Sequence, residues 1–291
     1  PRATWDEIVA FTDGSMDFSK RLKRLFRGRH PIEYVEQGFY DPKVLSFENM
    51  YLKGSFQSQR YFEDILEEVQ ETFRFPELKD MNLPAPLYET TEKYLLRIEG
   101  CNAVGLHMYR GDSRSNEELY DGICTEKYYE GAVRFIQDKC PDAKFFIFSN
   151  EPKWVKGWVI SLMKSQIRED MSREEIRALE DHFVLIENNT EYTGYLDMFL
   201  MSRCRHNIIS NSSFSWWAAF INENPDKLVT APSRWVNGVP SEDVYVKGMT
   251  LIDEKGRVER TIKNDRRPWQ SNVSVCFKSE AAGHGQRSKN G

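Results

Sequence analysis

Three short stretches hold residue types that can bind or stabilise charge. Val104-Gly105-Leu106-His107-Met108-Tyr109-Arg110-Gly111-Asp112 places a His, an Arg and an Asp within six residues, at the end of an apolar run and around a glycine that can turn the backbone. A guanidinium offers a rigid donor fork suited to phosphate oxygens, and a neighbouring carboxylate can hold that fork. On spacing alone the same residues also describe a strand end whose Arg110 and Asp112 form a surface pair of little weight. The second stretch is Asn207-Ile208-Ile209-Ser210-Asn211-Ser212-Ser213-Phe214-Ser215-Trp216-Trp217, where an apolar run ends in small polar residues and a helix follows at once. Helix N-termini present unsatisfied N–H groups and partial positive charge, a natural cradle for an anion. Asn211 or Ser212 acting as a plain helix cap is the simpler use of the same residues. The third is Asp197, in the first turn of an apolar helix, where the helix dipole alone explains an acid. A carboxylate there would equally suit the two N–H donors on a guanine edge.

Other chemistries lack their residues. No Gly-x-x-x-x-Gly-Lys-Ser/Thr, Gly-x-Ser-x-Gly or Gly-x-Gly-x-x-Gly segment occurs, and no Asp-x-Asp pair. The five histidines are scattered, so no metal site is expected and a diphosphate would have to be neutralised by cationic side chains and a helix end. The five cysteines, Cys101, Cys124, Cys140, Cys204 and Cys276, are an odd number without a Cys-x-x-Cys pair, which fits a reducing compartment better than a disulfide framework.

These residues need elements to hold them. Apolar, partly β-branched runs at Ala103–Met108, Lys144–Ser149, His182–Glu187, Asn207–Ser210 and Leu228–Ala231 read as buried strands. Between them, helical spacing groups Tyr128, Tyr129, Ala132, Val133 and Ile136, then Trp154, Val155, Trp158 and Val159, then Leu196, Phe199 and Leu200, then Trp216, Trp217, Phe220 and Ile221. Strands alternating with helices predict a doubly wound α/β domain with a mostly parallel sheet, whose ligands bind along the edge where the strands end. Trp216 and Trp217 read as core. Upstream, residues 61–73 predict an amphipathic helix, and Asn82-Leu83-Pro84-Ala85-Pro86 predicts a linker.

Length and composition bound the whole. With 291 residues, 40% hydrophobic and 13% aromatic, the chain has material for one large domain or two ordinary ones. A formal charge of -5 lacks the basic excess typical of nucleic-acid binders, and no apolar run approaches the length of a membrane span. The expected division is 1–100 as an N-terminal half with linker, 101–263 as a Rossmann-like domain, and 264–291 as a polar tail.

The three stretches together resemble the α-1,2-fucosyltransferases of glycosyltransferase family 11. His107-Met108-Tyr109-Arg110-Gly111-Asp112 is similar to that family's His-x-Arg-Arg-Gly-Asp motif, and the run from Asp197 through Asn211-Ser212-Ser213-Phe214-Ser215-Trp216-Trp217 to its most characteristic stretch. Tyr51-Leu52-Lys53-Gly54-Ser55-Phe56-Gln57-Ser58, Phe146-Ile147-Phe148-Ser149-Asn150 and Ala231-Pro232-Ser233-Arg234-Trp235 extend the likeness over about residues 45–236 in collinear order. The resemblance implies a GT-B-like architecture of two Rossmann-like halves around a cleft, here with an incomplete N-terminal half. The chain starts at Pro1, and the family's glycine-rich Gly-Gly-x-Gly-Asn-Gln segment is not found. It implies GDP-L-fucose as donor, a galactose-terminated oligosaccharide or glycolipid as acceptor, inverting transfer to the galactose 2-hydroxyl, and no metal or other cofactor.

It also implies roles residue by residue. His107 and Asp197 would lie near the guanosine, with Asp197 the preferred base reader. Arg110 would neutralise the departing β-phosphate, Asp112 would orient it, and Asn211, Ser212 and Ser213 would line the diphosphate. Glu117, ten residues after His107, is the candidate base. Tyr109 stands where the family carries the first of two arginines, and this supports the alternative of a catalytically silent relative that binds nucleotide sugar or glycan. A cytoplasmic location is expected, with peripheral contact at the inner membrane if the acceptor is lipid-linked.

Overall fold

The computed structural model describes residues 33–48, 50–109, 117–187 and 190–263. The expected polar tail, Cys276 and residues 1–32 lie outside them. In chain order the main elements are β1 (Glu33–Val35), β2 (Tyr51–Lys53), α1 (Leu66–Phe73), α2 (Ala85–Glu99), β3 (Ala103–Met108), α3 (Glu117–Tyr120) and α4 (Glu126–Lys139). Then follow β4 (Lys144–Ser149), α5 (Pro152–Gln166), α6 (Arg173–Glu180), β5 (Phe183–Leu185), α7 (Gly194–Arg203), β6 (His206–Ile208), α8 (Ser213–Phe220), β7 (Val229–Pro232), β8 (Met249–Ile252) and β9 (Val258–Thr261).

Seven strands form one sheet in the order β5-β4-β3-β6-β7-β8-β9. All pair in parallel except the edge strand β9, which returns antiparallel to β8. Every residue of β3 is buried, as a central strand covered on both faces requires. Its side chains alternate between two cores. Val104, Leu106 and Met108 meet Tyr128, Tyr129, Val133 and Ile136 of α4 and Val155 and Trp158 of α5. Ala103 faces the other layer, with Ile98 of α2, Phe199, Leu200 and Met201 of α7, and Ala218 of α8. A third cluster joins Trp216, Ala219 and Phe220 of α8 to β7, β8 and Tyr245. The doubly wound α/β domain expected from the strand rhythm is therefore present. The core placement of Trp216 is too: it is buried, with its indole N–H donating to the Val244 carbonyl at 2.7 Å.

Three local expectations change. Pro84-Ala85-Pro86 is a helix entrance, since α2 starts at Ala85 with proline in its first turn, where a missing N–H costs nothing. Leu83 packs against the α2–α7 core, so the segment is no free linker. The 61–73 helix is regular only from Leu66, after two 3-10 turns at Gln59–Tyr61 and Glu63–Ile65. Its apolar face nonetheless docks: Phe62 stacks on Trp217 at 5.8 Å and Phe73 lies 5.0 Å from the same ring. Of the expected first half, 1–100, the described residues contribute the parallel pair β1–β2, these turns, α1 and α2, and α2 packs into the core of the α/β domain. Among the described residues no helix is long and apolar enough to cross a membrane.

Candidate active site

The order of the sheet locates the site. From β3 the chain winds outward through β4 and β5, then returns to place β6 on the other side of β3. Neighbouring strands whose following segments diverge to opposite sides leave a crevice beyond their carboxyl ends. The carboxyl ends of β3 and β6 share that crevice, because Leu106 pairs with Ile208.

His107 and Ser210 meet there. The His107 Nδ1 lies 2.9 Å from Ser210 Oγ, and Ser210 Oγ lies 3.4 Å from Ser215 Oγ in α8. The imidazole is covered by Phe214, 5.3 Å away, and by Tyr109, nearly parallel at 6.0 Å. Burial pushes His107 down to about 4, so its ring is neutral at pH 7, with one donor and one acceptor. It can read polar edges but does not supply a cation.

The turn Ile209–Ser212 carries the chain from β6 into α8. Ser212 caps the helix, its hydroxyl accepting from the Phe214 N–H at 3.3 Å; a hydroxyl that accepts still has its own proton to donate. Ser213 is exposed at the same helix end. Asn211 is spent on structure: its Nδ2 donates to the Trp235 carbonyl at 3.1 Å, and its Oδ1 accepts from Cys124 Sγ at 3.2 Å. Trp235 in turn donates its indole N–H to Gln57 Oε1 at 2.9 Å. The Tyr128 hydroxyl fixes the turn from below, donating to the Ile209 carbonyl at 2.5 Å.

Asp197 lies in the first turn of α7, half-buried. Since α7 enters from the carboxyl edge of β5 and packs beside α8, its N-terminus opens at the same edge as that of α8. Of the expected site residues, the structure brings His107, Asn211, Ser212 and Ser213 together and puts Asp197 along the same rim. Arg110 and Asp112 lie outside the described residues. Glu117 opens α3, and its side chain is outside them also. Among the described residues no three His, Cys, Asp or Glu side chains gather as a metal site.

Sequence reasoning missed the brackets that hold this site. Ser210, Ser215, Cys124 and the Gln57–Trp235 pair are contacts across 5 to 178 positions. Gln57 and Trp235 stood within motif-like strings, but nothing in those strings indicated that they touch.

Comparison with known proteins now bears on this edge. The family model described as glycosyl transferase family 11 matches residues 42–247. An α-1,2-colitosyltransferase of Escherichia coli is 33% identical over 185 residues, covering 62% of this chain and 54% of that protein. The O-antigen biosynthesis glycosyltransferase WbnK of Escherichia coli is 32% identical over 142 residues, covering 48% and 41%. A galactoside α-(1,2)-fucosyltransferase 2 of Oryctolagus cuniculus is 24% identical over 151 residues, covering 50% and 38%. The chain thus spans about half, or less, of the length of these curated relatives.

Proposed function

Because this chain belongs to glycosyl transferase family 11, we propose that it moves L-fucose from GDP-L-fucose to the 2-hydroxyl of a terminal galactoside, with inversion to an α-1,2 linkage. One observation carries the placement of that reaction: the His107 strand end and the Ser210–Ser213 helix entrance face the same crevice at the sheet's switch point.

In such a transfer, positive charge gathers on the sugar and negative charge on the departing phosphate. Stabilising the phosphate and holding the acceptor hydroxyl in line account for most of the rate. The positive end of α8, with the Ser212 and Ser213 hydroxyls, supplies dipoles for the diphosphate, and Arg110 supplies the cation, oriented by Asp112. Asp197 takes the guanine N–H donors, and the neutral His107 ring lies against the nucleoside. Glu117 accepts the acceptor proton as it leaves. No metal takes part in this scheme, so EDTA leaves the rate of the purified enzyme unchanged. A cytoplasmic enzyme meeting its acceptor in solution or at the inner membrane surface fits the reading.

Two observations favour other readings. The relative named for colitosyl transfer makes a colitosyl donor the alternative to the fucosyl one. Tyr109, its ring over His107 where the family motif carries an arginine, favours a relative that binds nucleotide sugar without transferring it. Incubation with radiolabelled GDP-fucose and lactose distinguishes them: a labelled trisaccharide is expected. Protection by GDP against thermal unfolding with no product from either a fucosyl or a colitosyl donor would replace transfer by binding, and product from the colitosyl donor alone would replace the fucosyl donor.

A further inference from the structure

The loop after β7 touches the β6–α8 turn, Gln57 and α3. Trp235 binds Asn211 of the β6–α8 turn through its carbonyl and Gln57 through its indole. Two residues on, Asn237 grips α3. Its backbone N–H donates to the Leu119 carbonyl at 2.8 Å, and its Nδ2 donates to the carbonyls of Glu118 at 3.1 Å and Asp121 at 2.9 Å. Reversing the amide would set its oxygen against both carbonyls, so the hydrogen bonds fix its orientation.

These three bonds matter because α3 has little else. It is four residues long, and Glu118, Leu119 and Tyr120 are all exposed. Among the described residues, none of these three side chains belongs to a buried core cluster. Carbonyls at the end of so short a helix have few intrahelical partners, and Asn237 supplies them. Both sides of the grip turn at glycines in left-handed conformation, Gly122 at φ 68 and Gly238 at φ 72, and Arg234 adds a long contact to the Gly122 carbonyl at 3.5 Å.

We propose that Asn237 is a positioning residue for glycosyl transfer, acting through α3. The run 234–237 holds the helix that Glu117 opens at a fixed spacing from the Ser212–Ser213 turn, and so sets the acceptor side of the site against the donor side. The proposal rests on the function read above. Small displacements of a group that must meet a reacting atom carry large rate penalties, whereas binding of the nucleotide, contacted from other segments, is indifferent to them.

The test uses the full chain, with Asn237→Ala and Asn237→Asp compared with the wild type. Both variants keep the backbone bond to Leu119 and lose the two side-chain donors, and the second keeps the side-chain volume should the first fold poorly. Hydrogen exchange in the 117–122 peptide is expected to quicken at least tenfold. Turnover is expected to fall ten- to hundredfold, with the KM for GDP-fucose and thermal protection by GDP within twofold of wild type. Unchanged exchange would overturn the clamp. Quicker exchange with unchanged turnover would overturn its role in the reaction, as would a loss confined to the donor KM. A wild type inactive with every donor sugar would refute the function read above and the reaction role with it, while exchange would still decide the clamp.

Discussion

His107 is a base held neutral by burial, and that has a measurable cost in acid. Its folded value of about 4 lies below the ordinary 6.5, so between those values the unfolded chain binds a proton that the folded one refuses. Stability is therefore whole above about pH 6.5 and falls as pH drops toward 4, by about 3 kcal/mol at most. His107→Gln removes this titration while leaving His182 and His206, which burial also lowers, in place. Urea midpoints at pH 7.5 and 5 should show the wild type losing about 2 kcal/mol more than the variant; equal losses would place the acid sensitivity elsewhere. Two further residues are tested through function. Arg110→Ala should lower kcat/KM by about 2–4 kcal/mol in transition-state terms, with unchanged turnover contradicting its phosphate role. Asp197→Asn should narrow the preference for GDP over ADP in thermal protection, and retained selectivity would leave Asp197 as a helix-end acid. The types of these residues were legible because each is chemically unusual where it stands. Their partners were not: Ser210 reaches His107 across 103 positions, and a string of letters carries no distances.

The ends of the helices decide where site residues point. At the amino end of α8, Ser212 supplies the cap; at the other, Lys227 does the work, its ammonium donating to the carbonyls of Ala219 at 2.7 Å and Asn222 at 2.5 Å. Burial pushes Lys227 down to about 8, so it remains charged at pH 7 and complements the negative end of the dipole. Lys227→Met should cost about 1–3 kcal/mol in urea unfolding, since it strips charged donors from buried carbonyls. An unchanged midpoint would show that water replaces them. Across the sheet, α4 is seated by a backbone contact: a Cβ on Gly131 would stand 2.3 Å from the Gly256 carbonyl oxygen in the β8–β9 turn. Periodicity revealed the helices that alternate with strands because each must bury one face against the sheet. It hid α2, whose prolines read as a break, and it hid β8 and β9 because the 249–261 stretch has no helix beyond it to complete the rhythm.

At the scale of the molecule, residues 33–62 meet the domain at Gln57, which accepts from the Trp235 indole, at Phe62 on Trp217, and at one carboxylate. Asp243 accepts from Arg60 Nη1 and from the Tyr40 N–H, both at 3.0 Å, while the Arg60 guanidinium lies 4.0 Å over the Tyr40 ring. Asp243→Ala should leave the thermal midpoint nearly unchanged, because the ion pair is half-exposed, yet speed proteolysis between residues 40 and 60 several-fold. Equal cleavage rates would assign the docking to the Gln57–Trp235 bond and to Phe62 and Phe73 on Trp217. The sequence by itself determined the layered α/β architecture, since burying strands on both faces demands apolar runs and amphipathic helices whatever their order in space. It also determined the identity of the polar groups along the rim. Only the tertiary structure decided that β3 and β6 are neighbours, that His107 leans on Ser210, and that one loop after β7 grips α3, the β6–α8 turn and Gln57 together. Strand order and side-chain contact depend on the energy of the whole packed chain, and no local stretch of residues contains that.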